Sequence, residues 1–244
     1  MRAAPPTILD PATLDARAAQ AFIDVLRQVL ARRERALVAL VGGRSVGGIY
    51  RRLAAGDGAA IAWDRVDVML ADERLVAPDD PASNLAVIRP DLLDPLRAAG
   101  LPLPRLHPLP WLPTDPAGTV AAYNHTLAAL GGRFDLVVLS AGEDGHVASL
   151  FPDHPSVRDE APGFVLVEDS PKPPPLRASA SRRLLMAAGF GLLVFRGQDK
   201  AAALQLYCDG SGDPLTCPAR LATRFATALV LADPAAAGSP GAPG

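Results

Sequence analysis

Short continuous runs of apolar residues alternate along the chain with longer segments in which apolar residues recur every three or four positions. The first periodic segment covers residues 12–34, and its apolar side chains share one helical face: Leu14, Ala18, Phe22, Val25, Leu26, Val29 and Leu30. This spacing is typical of an amphipathic helix. The continuous runs are shorter and predict buried strands.

The apolar runs predict six strands, at residues 36–41, 66–71, 134–141, 163–168, 191–197 and 226–232. Between them the pattern predicts helices at residues 48–55, 84–99, 117–130 and 198–207. Strands that alternate with helices favour an α/β fold with a mainly parallel sheet and helices on both faces. Ligands of such sheets bind beyond the carboxyl ends of the strands, so the loops at those ends are the candidates for function.

Length and composition favour a single domain. The chain has 244 residues, of which 49% are hydrophobic, so a sizeable core is available. No repeat or linker divides it, and we place the domain at residues 7–235. The ends, 1–6 and 236–244, are rich in proline and small residues and are predicted to be disordered tails.

Charge and cysteine usage exclude several classes of protein. The net charge of -2 gives no reason to expect a nucleic-acid surface. No signal segment opens the sequence, and no apolar run approaches the roughly 20 residues of a membrane span. Cys208 and Cys217 are too few for a disulfide framework and lack zinc spacing. We therefore expect a cytoplasmic protein without nucleic-acid or membrane partners, and a monomer by default.

The loop after the first strand run is glycine-rich and reads VGGRSVGG, residues 41–48. Gly42 and Gly43 allow main-chain N–H groups to approach an anion at the start of the following helix, and Arg44 and Ser45 add a charge and a hydroxyl. The spacing matches neither a Walker loop nor a dinucleotide fingerprint. The alternative is a tight glycine turn that binds nothing.

The loop after the second strand run begins with adjacent charged residues, Asp72, Glu73 and Arg74. A carboxylate at a strand end can accept a proton or orient a substrate hydroxyl, and an arginine can bind phosphate. The alternative is a solvated charged loop.

The apolar run 134–141 is followed at once by a polar turn that contains Glu143, Asp144 and His146. An imidazole at the carboxyl edge of a sheet, with an acid close enough to orient it, is a candidate general base. The alternative is a polar turn that carries a surface histidine.

A fourth candidate segment, DSPKPPPLRAS at residues 169–179, holds Lys172 and Arg177 on either side of three consecutive prolines. Prolines stiffen the backbone, so two cations held there would lose little entropy on binding a phosphate. The alternative is a proline-rich surface loop or a ligand for a proline-binding module.

Taken together, these segments resemble the 6-phosphogluconolactonase family. The resemblance rests on DERLVAPDDPASN, GEDGHVASLFP and SPKPPPLRAS, with weaker support from GGRSVGGIYRRL and GQDKAAAL, and it covers residues 36–225. It implies a Rossmann-like fold shared with glucosamine-6-phosphate deaminases. It also implies hydrolysis of 6-phospho-D-glucono-1,5-lactone to 6-phosphogluconate, the second step of the oxidative pentose phosphate pathway, without metal or organic cofactor.

Within that resemblance, the residues suggest a division of roles. We expect His146 to move the proton, Asp144 to orient it and Asp72 to contact sugar hydroxyls or assist the transfer. The expected phosphate ligands are Gly42, Gly43, Arg44, Ser45, Arg74, Lys172 and Arg177.

The chain departs from the family's usual pattern at three positions. Arg44 replaces a small residue, Leu70 replaces a tryptophan, and Val147 replaces a threonine. None of the three removes a group that the chemistry needs. Two alternatives remain: a sugar-phosphate deaminase or isomerase of the same fold, and a non-catalytic sugar-phosphate sensor. Arg74 and the segment SLFP differ from the deaminase pattern, and nothing before residue 36 is long or basic enough for a DNA-binding region.

Overall fold

The computed structural model describes residues 5–209 and 212–238. Its strands are β1 (Thr7–Ile8), β2 (Ala36–Leu40), β3 (Val66–Leu70), β4 (Asp72–Arg74), β5 (Arg105–Leu106), β6 (Leu136–Ser140), β7 (Phe164–Val167), β8 (Arg177–Ala180), β9 (Phe190–Phe195) and β10 (Ala228–Ala232). Its α-helices are α1 (Pro11–Leu30), α2 (Gly47–Ala54), α3 (Asn84–Ile88), α4 (Asp94–Ala98), α5 (Pro116–Ala129), α6 (Pro155–Arg158), α7 (Arg182–Met186) and α8 (Ala201–Cys208).

The main sheet has seven strands in the order β1-β10-β9-β6-β2-β3-β5. Every neighbouring pair in it is parallel. All residues of β2 and β3 are buried, as expected when both faces of a parallel sheet are covered. The predicted α/β fold with a mainly parallel sheet is confirmed, and the buried apolar side chains form one contiguous core.

The strand order reverses between β2 and β6. From β2 the chain builds outward through β3 to β5, and it then returns to place β6 on the other side of β2. Adjacent loops that leave in opposite directions open a crevice at the carboxyl ends of their strands. Two of the candidate loops follow β2 and β6 and therefore meet at this crevice.

A second, antiparallel sheet has the order β4-β8-β7 and corrects three predictions. Asp72–Arg74 and Arg177–Ala180 are strands rather than parts of loops, and Asp72–Arg74 pairs with Arg177–Ser179 of β8. The strand predicted at 163–168 exists as β7 but lies in this small sheet. All three residues of β4 are charged, so the hydrophobic pattern could not reveal this strand. Its pairing with β8 uses main-chain groups and needs no apolar side chains.

The predicted helices are all present, α6 and α7 were not predicted, and one predicted helix differs in its winding. Residues 84–98 form α3, a π-helical turn at Arg89–Leu93 and α4 rather than one continuous helix. Pro90 and Pro95 lack the N–H that a regular helix interior needs, which accounts for the change in winding. No helix among the described residues is long and apolar enough to cross a membrane.

The predicted C-terminal tail begins too early. Residues 236–238 are a turn: Ala236 is buried, and the N–H of Ala237 donates to the carbonyl of Asp233. The remaining parts of the two predicted tails, 1–4 and 239–244, lie outside the described residues.

Candidate active site

A cavity of about 530 Å³ opens at the crevice between β2 and β6. Nine of the ten predicted site residues line it: Gly42, Gly43, Arg44, Ser45, Asp72, Arg74, His146, Lys172 and Arg177. The tenth, Asp144, lies directly behind His146. The topology thus gathers four segments that are far apart in the sequence into one site.

His146 and Asp144 form a hydrogen-bonded pair at the cavity wall. The imidazole Nδ1 lies 2.5 Å from Asp144 Oδ1, and the same oxygen accepts the main-chain N–H of His146 at 3.1 Å. Because a carboxylate accepts, the proton of the neutral ring sits on Nδ1, and Nε2 carries a lone pair. Burial would raise the pKa of Asp144, but the hydrogen bond and charge of His146 outweigh burial and lower it to about 2. Asp144 is therefore ionised at neutral pH.

The turn that carries His146 depends on two glycines. A side chain at Gly142 would lie 2.0 Å from His146 Nδ1, so only glycine leaves room for the ring. Gly145 has a φ of +85°, which favours glycine, and a side chain there would also meet Cys217 Sγ at 2.9 Å. On the other side, the ring of Phe151 lies 4.8 Å from that of His146, centroid to centroid. The imidazole therefore has a fixed position.

Asp72 is a buried carboxylate with a complete set of partners. Its Oδ2 accepts the hydroxyl of Ser149 at 2.7 Å and lies 4.0 Å from a guanidinium nitrogen of Arg177. Its Oδ1 accepts the side-chain amide of Asn84 at 3.1 Å. Because Asp72 also lines the cavity, its carboxylate is held in place beside any bound ligand.

Most hydrogen-bond donors of Arg177 are already in use. Nε donates to the carbonyl of Pro174, and Nη2 donates to the carbonyls of Lys172 and Pro173. Nη1 lies 3.4 Å from the Ser149 hydroxyl. The residue is 3% exposed, and burial lowers its pKa. Arg177 thus shapes the proline-rich segment and faces Asp72, which leaves little of its guanidinium for a ligand.

Arg74 presents a different arrangement. Its Nη1 donates to the carbonyl of Ala82 at 2.5 Å, whereas its Nε is buried without a hydrogen-bond partner. Arg74 and Arg177 pair across β4 and β8, so two like charges face the same region. The like charge of Arg177 beside Arg74 favours an anion at this point in the cavity.

Glu73, which lies between Asp72 and Arg74 in β4, has a structural role. Its carboxylate accepts the main-chain N–H groups of Arg74, Asn84 and Leu85 and the hydroxyl of Ser83. Burial raises its pKa despite these donors. The contacts fix the start of α3 relative to β4.

Lys172 reaches the cavity from the proline-rich segment. Its Nζ forms an ion pair with Glu143, on the turn that also carries His146. The main chain of this segment closes on itself, because Ser170 Oγ donates to the Lys172 carbonyl and accepts the Lys172 N–H. The Lys172 side chain is 34% exposed and Glu143 60% exposed, so solvent screens the pair and an anionic ligand can compete for the lysine.

The glycine-rich loop forms the remaining wall. Gly43 has a φ of +115°, and the loop leads into α2 at Gly47. Within the described residues, no acceptor bonds the main-chain N–H groups of Arg44 and Ser45. The Ser45 side chain is buried and Arg44 is exposed at the rim. Main-chain donors at the start of a helix are suited to an anion.

Polar residues outside the predicted set also line the cavity, among them Ser140, Glu143 and the four discussed next: Asn84, Arg196, Asp199 and Lys200. Lys200 Nζ lies 2.8 Å from Asp199 Oδ2, and Arg196 forms an ion pair with Asp15. Three of the four follow β9, a predicted strand next to β6, so the rule that sites lie at carboxyl ends could have found them. Asn84 gave no comparable signal, because it begins α3, well after the end of β4.

Comparison with known proteins identifies relatives in sequence and in fold. The family model described as glucosamine-6-phosphate isomerases/6-phosphogluconolactonase matches residues 9–231. A 6-phosphogluconolactonase of Streptomyces coelicolor is 36% identical over 90% of this chain and 88% of that protein. The human 6-phosphogluconolactonase is 35% identical over 71% of this chain and 68% of that protein.

Solved structures agree on the fold. A 6-phosphogluconolactonase of Trypanosoma cruzi superposes with a TM-score of 0.83 at 20% identity, covering 99% of both chains. A monomeric glucosamine-6-phosphate deaminase superposes with a TM-score of 0.79 at 18% identity, covering 98% of this chain and 99% of that one. At such identities the likeness concerns the fold alone, which lactonases and deaminases share.

Proposed function

The chain belongs to the family of glucosamine-6-phosphate isomerases and 6-phosphogluconolactonases, and from that premise we propose that it hydrolyses 6-phospho-D-glucono-1,5-lactone to 6-phospho-D-gluconate. The curated relatives named above are 6-phosphogluconolactonases and match over most of this chain, which favours the lactonase side of the family. The geometric observation that carries the proposal is the His146–Asp144 pair at the wall of a cavity lined by cations from several loops.

In the proposed hydrolysis His146 acts first as a base and then as an acid. A water oxygen attacks C1 of the lactone while Nε2 of His146 accepts a proton from that water. The bond between C1 and the ring oxygen then breaks, and the imidazolium returns the proton to that oxygen, which becomes the C5 hydroxyl. The product forms as the carboxylic acid, which releases one proton to solvent to become 6-phospho-D-gluconate, so atoms and charge balance without any further reactant.

Asp144 acts through His146. Its ionised carboxylate holds the proton on Nδ1, so Nε2 is the nitrogen that accepts, and it stabilises the imidazolium that forms during the attack. A carboxyl whose pKa is about 2 does not take that proton for itself at neutral pH. The pair therefore works as a base with a fixed orientation.

The phosphate is held away from the reacting carbon. The proposed ligands are the main-chain amides of the glycine-rich loop at Gly42 and Gly43, the side chains of Arg44 and Ser45, and the cations Arg74 and Lys172. Arg177 completes this wall chiefly by shaping the Lys172 segment. Binding energy from a group that does not react can orient C1 against the water.

Asp72 lines the same cavity. Its carboxylate, held by Ser149 and Asn84, is placed to accept hydrogen bonds from sugar hydroxyls. It thus orients the ring whose phosphate is anchored on one side and whose C1 is attacked on the other.

The test is stopped-time hydrolysis of freshly made 6-phosphogluconolactone, corrected for spontaneous opening, beside unphosphorylated gluconolactone. We expect rapid turnover of the phosphorylated lactone and weak turnover of the other. No turnover above background would overturn the proposal. Ammonia release from glucosamine 6-phosphate would then indicate a deaminase, and binding of sugar phosphates without turnover would indicate a sensor.

A further inference from the structure

Asn84 is a buried polar residue whose orientation is fixed by its neighbours. It is 3% exposed and begins α3, where its N–H donates to Glu73. Its side-chain Nδ2 donates both to the main-chain carbonyl of Asp72 at 2.8 Å and to the Asp72 carboxylate at 3.1 Å. Both partners only accept, so the amide nitrogen must face them and the amide oxygen must face the other way.

That oxygen faces the glycine-rich loop. A side chain at Gly42 would lie 2.4 Å from Asn84 Oδ1, so the absence of a side chain at Gly42 makes room for it. Among the described residues, none donates a hydrogen bond to this oxygen, and it is not fully enclosed. Gly42, Asp72 and Asn84 all line the cavity. Asn84 Oδ1 is therefore an acceptor of fixed direction in the cavity wall.

Most charged side chains of the cavity wall have the opposite character, although Asp72, Glu143 and Asp199 also accept. Arginines, lysines and main-chain amides donate, and these groups suit the phosphate oxygens of a substrate. The hydroxyl groups of a sugar ring also need acceptors for their own protons, because a polar group desolvated without a partner costs free energy. Apart from the carboxylates, the side-chain amide oxygen of Asn84 supplies such an acceptor without adding negative charge near the phosphate.

We infer that Asn84 is a substrate-orienting residue whose Oδ1 accepts a hydrogen bond from one ring hydroxyl of the lactone. Its two ends then act together, since Nδ2 holds Asp72 in position and Oδ1 binds the ring beside it. This assignment rests on the proposed lactonase function, and it makes Asn84 a determinant of which hydroxylated lactones are accepted.

The experiment compares wild type and Asn84→Ala on four substrates: 6-phosphogluconolactone and its 2-deoxy, 3-deoxy and 4-deoxy analogues. On the full substrate the variant should lose about 5- to 100-fold in kcat/KM, because a hydroxyl is left unpaired. On the one analogue that lacks the bonded hydroxyl, that loss should shrink at least about fivefold. Loss of support for Asp72 alone would reduce all four rates by the same factor.

Asn124→Ala is the matched control. Asn124 also hydrogen-bonds a neighbouring main chain, at Phe164, and also packs against a glycine, Gly163, but it does not line the cavity. It should leave the ratio among the four substrates unchanged. If Asn84→Ala does not fold, Asn84→Ser gives the same comparison with a smaller disturbance.

The lactonase function and the role of Asn84 would be disproved by different results. If wild type does not hydrolyse 6-phosphogluconolactone above background, the proposed function is wrong. If wild type is active but the Asn84 variant loses the same factor, to within about twofold, on every substrate, only the inference about Asn84 is overturned.

Discussion

Three aspartate–histidine pairs occur among the described residues, and two of them have similar local geometry but opposite surroundings. In the cavity, His146 Nδ1 lies 2.5 Å from Asp144 Oδ1. At the other pair, His107 Nε2 lies 2.8 Å from Asp67 Oδ1. Asp67 is the second residue of β3, near its amino end, whereas Asp144 lies beyond the carboxyl end of β6. His107 does not line the cavity.

The cations beside the two pairs also differ. Arg35 Nε donates directly to Asp67 Oδ2 at 2.5 Å, so that carboxylate is shared between a guanidinium and an imidazole. Lys172 lies near Asp144 but forms its ion pair with Glu143, at the cavity mouth. Arg35 donates to the carboxylate of its own aspartate–histidine pair, whereas Lys172 lines the cavity and can bind a ligand. An aspartate–histidine pair thus indicates chemistry when the second ring nitrogen of the histidine and the neighbouring lysine or arginine both face a cavity at a strand end.

Removal of the two imidazoles should separate the pairs most strongly. His146→Ala should lower kcat by about 10²- to 10⁴-fold, the usual contribution of a positioned general base, with a smaller effect on KM. His107→Ala should leave kcat nearly unchanged. Steady-state kinetics on the phosphorylated lactone, with thermal melting of both variants, measures the contrast. An intact kcat in His146→Ala would remove that residue from the mechanism.

The two aspartates come next. Asp144→Asn no longer fixes the proton on Nδ1 and should lower kcat by about 10- to 10³-fold. Asp67→Asn should instead cost about 2–4 kcal/mol of stability, because it leaves Arg35 without its buried partner. A melting temperature that falls by about 5–15 °C with unchanged kcat would agree with that role.

The stability conferred by Asp67 should depend on pH. Burial would raise its pKa, but the hydrogen bonds from Arg35 and His107 outweigh burial and lower it. A carboxyl with a lowered pKa stabilises the fold above its ordinary value of about 3.9, and that stability is lost as the pH falls through the lowered pKa. The difference in melting temperature between wild type and Asp67→Asn should therefore narrow in acid. A constant difference from neutral to acid pH would argue against the ion pair.

Much of this layout was readable from the sequence. Buried runs such as 36–41 and 134–141 predicted β2 and β6, because strands covered on both faces are continuously apolar. The position of His146 after such a run placed it in the site. β4 and β8 were missed because polar, paired strands such as Asp72–Arg74 have no hydrophobic signature.

The contacts of individual side chains were not readable. Spacing alone could not show that Arg177 donates to the carbonyls of its own segment, or that Asn84 donates to Asp72. Such contacts depend on which side chains meet after folding. The same limit applies to His107, whose partner Asp67 lies 40 residues away in the sequence.

Removal of Lys172 should change substrate binding, whereas removal of Arg35 should change stability. Lys172→Ala should raise KM for the phosphorylated lactone by about 3- to 30-fold, since it removes one partly exposed charge-assisted contact. It should leave KM for unphosphorylated gluconolactone and the melting temperature close to wild type. Arg35→Ala should do the reverse, with a lower melting temperature and an unchanged KM. A Lys172 variant with normal KM would remove that lysine from the phosphate site.

The smallest effect is expected at Glu143. This exposed carboxylate pairs with Lys172, and Lys172 lowers its pKa. Glu143→Gln should free the lysine and lower KM for the phosphorylated lactone by about two- to fivefold, because exposed ion pairs are weak. A raised KM would show that Glu143 supports Lys172 rather than competing with the substrate for it.

The most direct test of the central claim is a tautomer measurement on the four histidines, by long-range proton–nitrogen NMR of protein labelled with ¹⁵N-histidine. His146→Gln assigns its signals, and the pH is raised until the ring signals no longer change. We predict that His146 carries its proton on Nδ1, that His107 carries it on Nε2, and that 6-phosphogluconate shifts the Nε2 signal of His146 alone. A His146 proton on Nε2, or an Nε2 signal that the product leaves unchanged, would contradict the assignment of His146 as the base.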